Sequence, residues 1–171
     1  VAPIASWPTP AGWRAEAFRF PLDFAKDIPH AGLEDVRFAP SFFDPKAPTY
    51  FSYSFAWVLD DPALPAGPQL ADELRRYFYG LAVAVGEEKH ATVDANAFRA
   101  TVDTAPNGNS LGEVQALDPF NDDRPVVLHL DATQTSCGAK KVLLVTLSPR
   151  PPGDATWSTL LAQRATFQCP P

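Results

Sequence analysis

Nineteen of the 171 residues are proline, about twice the usual share. Proline has no backbone N–H to give a sheet ladder and it breaks helix interiors. Regular structure is therefore confined to the stretches between prolines. Six proline-free windows serve as candidate elements: 30–39, 49–61, 69–105, 107–118, 126–148 and 153–169.

Within them the apolar spacing is readable. In 33–39, Val36 and Phe38 alternate with Asp35 and Arg37, the pattern of a half-buried strand. Phe51, Tyr53, Phe55, Trp57 and Leu59 fall on one face of a second strand. Leu70, Leu74, Tyr77, Phe78, Leu81 and Val85 recur at three- and four-residue spacing, predicting an amphipathic helix over 69–85. Asp72, Glu73, Arg75 and Arg76 are expected on its outer face, with Gly86 at its C-terminus. Four strands follow: 98–103, 113–118 after the hairpin signal Asn107-Gly108, 126–131, and the nearly continuous apolar run 141–147, expected to be central. Asp154 is placed to cap a short final helix containing Trp157, Leu160, Leu161 and Arg164. The expectation is one α+β domain over 13–171: an antiparallel sheet of six or seven strands, curving around the main helix, with a short C-terminal helix packed on it. Residues 1–12, with Pro3, Pro8 and Pro10, read as an extended leader.

A chain of 18.6 kDa folds to roughly 8,200 Å² of surface, enough burial for one real core. Apolar residues at 46% exclude a disordered chain. No apolar run approaches the roughly 18 residues of a membrane span. The net charge of −6 is spread evenly, with seven basic and ten acidic residues on each side of a cut after Val85. No basic lobe exists to hold nucleic acid.

Met is absent, position 1 included. The expectation is a chain that begins after something has been removed, by a signal peptidase or in cloning. The two cysteines, Cys137 and Cys169, are far from C-x-x-C spacing and too few for a structural zinc site. Together these features favour an extracytoplasmic protein, periplasmic or secreted, with a Cys137–Cys169 disulfide. The alternative is a cytosolic chain with two free thiols.

Signals for chemistry are few. Gly108-Asn109-Ser110-Leu111-Gly112 fits the G-x-S-x-G nucleophile pattern. Pro119 leaves little room for the helix that should follow, and a polar hairpin loop explains the same residues. Gly108 to Leu111 is also similar to the Gly-Asp-Ser-Leu signature of esterases, but no D-x-x-H follows it. His129 and Asp131 share one face of a strand and could make a histidine–carboxylate pair. A metal site would need a further ligand, from His30 or His90, and no cofactor-binding motif is present. The adjacent acids Glu34-Asp35, Asp60-Asp61, Glu87-Glu88 and Asp122-Asp123 point opposite ways on an extended chain and read as solvated charges.

The row Phe51-Tyr53-Phe55-Trp57 is the most distinctive feature. Buried, it is a core face meeting the helix; partly open, it lines a cleft with Tyr53 or Trp57 at the mouth. Arg37-Phe38-Ala39-Pro40, Phe42-Phe43-Asp44-Pro45 and Phe51-Ser52-Tyr53-Ser54-Phe55 with Trp57 resemble a segment of uncharacterised secreted bacterial proteins. That resemblance implies bacterial export and assigns no activity. The functional expectation is a non-catalytic extracytoplasmic binding or accessory domain. Its ligand would be small and apolar or aromatic-tolerant, with Tyr53 and Trp57 as binding residues. The alternatives are a small hydrolase using His129 with Asp131, or Ser110, and a protein–protein interaction module.

Overall fold

The computed structural model describes residues 1–170, which form an α+β fold. Seven strands make one antiparallel sheet: β1 (Arg14–Arg19), β2 (Gly32–Phe38), β3 (Tyr53–Leu59), β4 (Arg99–Thr104), β5 (Ser110–Leu117), β6 (Pro125–Cys137) and β7 (Lys140–Ser148). Their order is β1-β2-β3-β7-β6-β5-β4. Two helices, α1 (Gly67–Glu88) and α2 (Ala155–Arg164), pack on it. The apolar run of β7 follows from its place: it is the fourth of seven strands, and Val142 to Ser148 are buried on both faces.

One face carries the main core. Val36, Phe55, Trp57, Leu128, Leu130, Leu143 and Val145 meet Leu70, Leu74, Tyr77, Phe78 and Ala82 of α1. Each such fully buried side chain contributes roughly 1.5–3 kcal/mol of transfer free energy. Pro68 stands at the start of α1, where its missing N–H costs nothing. Thr104 Oγ1 accepts the Gly67 N–H at 2.8 Å, supplying from β4 a cap that Ala66 cannot. The helix runs two residues past Gly86. His90 (φ 55°) takes the left-handed position, while the Gly86 carbonyl accepts from Lys89 and Ala91.

The opposite face is also covered. Ala56, Val58, Val142 and Leu144 pack with Ile4 and Trp7, and Trp157 and Leu160 of α2 are buried. Asp154 caps α2 as expected, accepting the Thr156 N–H at 2.8 Å. The N-terminal segment is not an extended leader. It turns between Ile4 and Trp7, whose backbones bond at 3.1 Å, and both side chains are buried. That cover changes the reading of β2, because Asp35 and Arg37 are buried beneath it rather than solvated. Arg37 Nη1 donates to Asp35 Oδ1 at 2.5 Å, and Nη2 to the carbonyls of Ile4 and Trp7.

Cys137 and Cys169 form a disulfide with a Cα–Cα distance of 5.3 Å, tying the end of β6 to the tail beyond α2. Among the described residues, no helix is long and apolar enough to cross a membrane.

Candidate functional site: an aromatic cleft beside a buried acid

Helix α1 lies against the β4–β5 end of the sheet. The β1–β2 end is left to loops, and there the packing opens into a cleft of about 220 Å³. Its sheet wall is Phe18 of β1, Val36 and Phe38 of β2, and Tyr53 of β3; Tyr77 and Leu81 come from α1. Phe42, Phe43 and Phe51 come from the β2–β3 connection, Phe24 from the β1–β2 connection and Phe120 from the β5–β6 connection.

Polar groups fix these loops. Asp118 is buried and accepts the Tyr50 hydroxyl at 2.5 Å, the Phe120 N–H at 2.9 Å and the Asn121 amide at 2.6 Å. Phe120 is thereby held 5.9 Å from Phe42 and 6.0 Å from Phe51, centroid to centroid. At the mouth, the Arg14 guanidinium lies over the rings of Phe38 (4.7 Å) and Phe43 (5.0 Å). Phe43 is 44% exposed, an unusual position for so large an apolar side chain.

Behind the cleft sits a polar cluster. Tyr53 and Tyr77 are buried near the Glu34 carboxyl, and burial, together with the charge of Glu34, holds both hydroxyls well above their ordinary pKa. Trp57 Nε1 donates to Glu34 Oε1 at 3.2 Å, while Oε2 has no partner. Glu34 is fully buried, and that burial pushes its carboxyl from 4.5 up to about 7, against the lowering effect of the Trp57 and Tyr77 hydrogen bonds. His30 lies 5.7 Å from the Trp57 ring. Its Nε2 is 2.8 Å from Glu73 Oε2 and its Nδ1 3.1 Å from Asp61 Oδ2. Burial alone would lower the His30 pKa, but the hydrogen bonds and charges of the two carboxylates outweigh it and the net direction is upward.

Several sequence expectations are corrected here. Glu34 and Asp35 are not solvating charges: both are wholly buried, on opposite faces of β2. Glu73 is not on the outer face of α1, because His30 draws it inside. Tyr53 lines the cleft at its floor, whereas Trp57 lies deeper, with no exposed surface, as the partner of Glu34.

His129 and Asp131 project from the other face of the sheet. His129 Nδ1 is 3.3 Å from Glu113 Oε1, and Asp131 is engaged by Arg164 at 2.7 Å, so the two do not pair with each other. Ser110 is buried on the α1 face, its Oγ 2.7 Å from Thr104 Oγ1, within the network that caps α1. Ser110 and His129 therefore lie on opposite sides of the sheet and form no nucleophile–base pair. Among the described residues, no three His, Cys, Asp or Glu side chains gather as a metal-binding group.

The residues that sequence reasoning passed over are Arg14, Phe18, Phe24 and Phe120; Glu34 read as a solvated charge and His30 only as a spare metal ligand. Phe42 and Phe43 were visible as a doublet, but only the tertiary fold brings Phe120 to them. Comparison with family models, curated proteins and solved structures finds no match to this chain.

Proposed function

We propose that this protein is an extracytoplasmic ligand-binding domain that holds a small apolar molecule in the aromatic cleft between the β1–β2–β3 end of the sheet and α1. The observation that carries this reading is the cleft itself. Its 220 Å³ exceeds the ~150 Å³ of an apolar cavity that stays dry and takes up benzene. Aromatic walls set on three strands, a helix and pinned loops are preorganised, which lowers the ordering cost of binding. The Cys137–Cys169 disulfide supports a home outside the reducing cytoplasm.

The test is calorimetric titration with single-ring and short-chain hydrocarbons and alcohols, on the native protein and on Leu81→Trp. Leu81 lines the cleft from α1 and is only partly buried, so an indole there fills the space without entering the core. Binding to the native protein that Leu81→Trp abolishes supports the reading. No binding by any probe, or binding that Leu81→Trp leaves unchanged, refutes it.

A further inference from the structure

Resting on the cleft as a ligand site, we infer that its ligand is a monocarboxylic acid, single-ring or medium-chain, whose body fills the aromatic space and whose carboxylate is received by Arg14. Arg14 is the one cationic side chain among the cleft's lining residues. Its guanidinium carbon lies 4.7 Å and 5.0 Å from the ring centres of Phe38 and Phe43, which tethers it at the cleft mouth. Glu16 Oε1 lies 3.2 Å from Nε. Both terminal nitrogens are without a protein hydrogen-bond partner among the described residues. The two terminal N–H groups of a guanidinium match the two oxygens of a carboxylate.

The remaining polar groups narrow the class further. The floor, where Tyr53 and Tyr77 line the cleft in front of the buried Glu34 carboxyl, offers no cationic side chain among the described residues. The one cationic donor is thus at the mouth, and the ligand is oriented with its charged end outward. Glu16 on the rim, and Asp44 in the adjoining open depression that shares Arg14, disfavour a second negative charge. A phosphate dianion is penalised there more than a carboxylate monoanion. A cationic ligand would meet Arg14 itself and be repelled. A neutral ring would fill the space but leave the fork unmatched.

Three probes of one shape separate the possibilities: hydrocinnamate, hydrocinnamyl alcohol and the corresponding amine, titrated calorimetrically into the native protein and into Arg14→Gln. A charge-assisted pair implies that the acid binds about ten-fold or more tightly than the alcohol, with the amine weakest. In Arg14→Gln that advantage vanishes while the affinity for the alcohol stays within about three-fold. If the alcohol binds as tightly as the acid, or Arg14→Gln keeps the acid's advantage, this inference fails and the cleft reading stands. If none of the three binds, the cleft reading fails with it. Arg14→Lys keeps the charge but loses the fork, and serves should Arg14→Gln not fold; an undiminished preference for the acid in Arg14→Lys overturns the assignment equally.

Discussion

The Arg37 guanidinium lies 4.5 Å from the centre of the Trp7 ring and donates to the Trp7 carbonyl at 2.6 Å. This pair locks the N-terminal segment onto the outer face of β2. Asp35 completes the lock by accepting from both Arg37 and the Ile4 N–H, the latter at 2.6 Å. Removing one partner leaves a buried charge uncompensated, which typically costs about 3–5 kcal/mol. Asp35→Ala is therefore expected to destabilise the fold by that amount in urea denaturation, and to expose residues 1–12 to proteolysis under native conditions. A loss below about 1 kcal/mol, the range of a surface pair, would show that the lock does not hold the segment.

Stability is expected to fall as pH rises from mildly acidic to mildly alkaline, the reverse of the usual carboxylate trend. Unfolded, Glu34 releases its proton near 4.5; folded, near 7. Between those values the native chain holds more protons than the unfolded one, so stability declines as pH increases, by about 3 kcal/mol in all. His30 acts in the same direction. Its raised folded pKa gives stability that is complete below 6.5 and is lost as pH climbs through the folded value. Asp72, Asp122 and Asp154, lowered by Arg75, Arg124 and the Thr156 N–H respectively, act the other way at the acid end, weakly because they lie at the surface. Chemical denaturation between about pH 5 and pH 8 measures the slope. Glu34→Gln should flatten it, leaving the portions from His30 and from Asp35, whose carboxyl burial also raises; an unchanged slope would show that Glu34 is not its source.

Gly80→Ala is expected to destabilise, although glycine to alanine within a helix ordinarily helps by about 1 kcal/mol. A Cβ at Gly80 would stand 2.0 Å from the Phe24 carbonyl oxygen. The helix must then move off the 22–28 loop, at a cost of about 1–3 kcal/mol. Because Phe24 lines the cleft, the same change should weaken binding of an apolar probe. A thermal melt unchanged or raised in Gly80→Ala would refute this packing.

Reducing the disulfide removes a closure of 32 residues, worth about 3.7 kcal/mol in the chain-entropy model. For a domain of this size that corresponds to a melting temperature lower by about 7–15 °C. Intact mass under denaturing, non-reducing conditions should be two hydrogens below that of the reduced chain. Two thiols that alkylate freely without reductant would contradict the bridge.

Legibility in the sequence followed apolar patterning. Strand β3 and helix α1 were readable because their large side chains recur at period two and at three and four, and β7 because its apolar run is unbroken, as burial on both faces requires. Strand β1 was not, since at the sheet edge Arg14, Glu16 and Phe18 alternate with alanines and arginine, and polar residues occupy the face that looks into the cleft. Glu34, Asp35 and Glu73 were misread for a common reason. A charged residue is solvated unless a partner arrives, and the partners here (Trp57, Arg37 and His30) lie 23, 2 and 43 positions away. Only Arg37 is near, and its burial depends on Trp7, 30 residues off. Of the row Phe51-Tyr53-Phe55-Trp57, Phe51 and Tyr53 line the cleft while Phe55 and Trp57 belong to the core. The mouth of the cleft was not legible, because Arg14, Phe43 and Phe120 converge from three separate segments.

The position of β7 in the sheet carries a consequence for how the molecule comes together. β1, β2 and β3 pair with one another, as do β4, β5 and β6, and β7 is the strand between the two sets. Until Lys140–Ser148 leaves the ribosome, the edges of β3 and β6 that it will join are open templates for pairing with another chain. The half-sheet that ends at Leu59 must therefore wait until Lys140 for the strand that unites it with the other, whose own last strand ends at Cys137 just before that strand begins. Once seated, that strand is screened from solvent on both faces and flanked on both edges, so the last joint to close lies farthest from any point at which unfolding could begin.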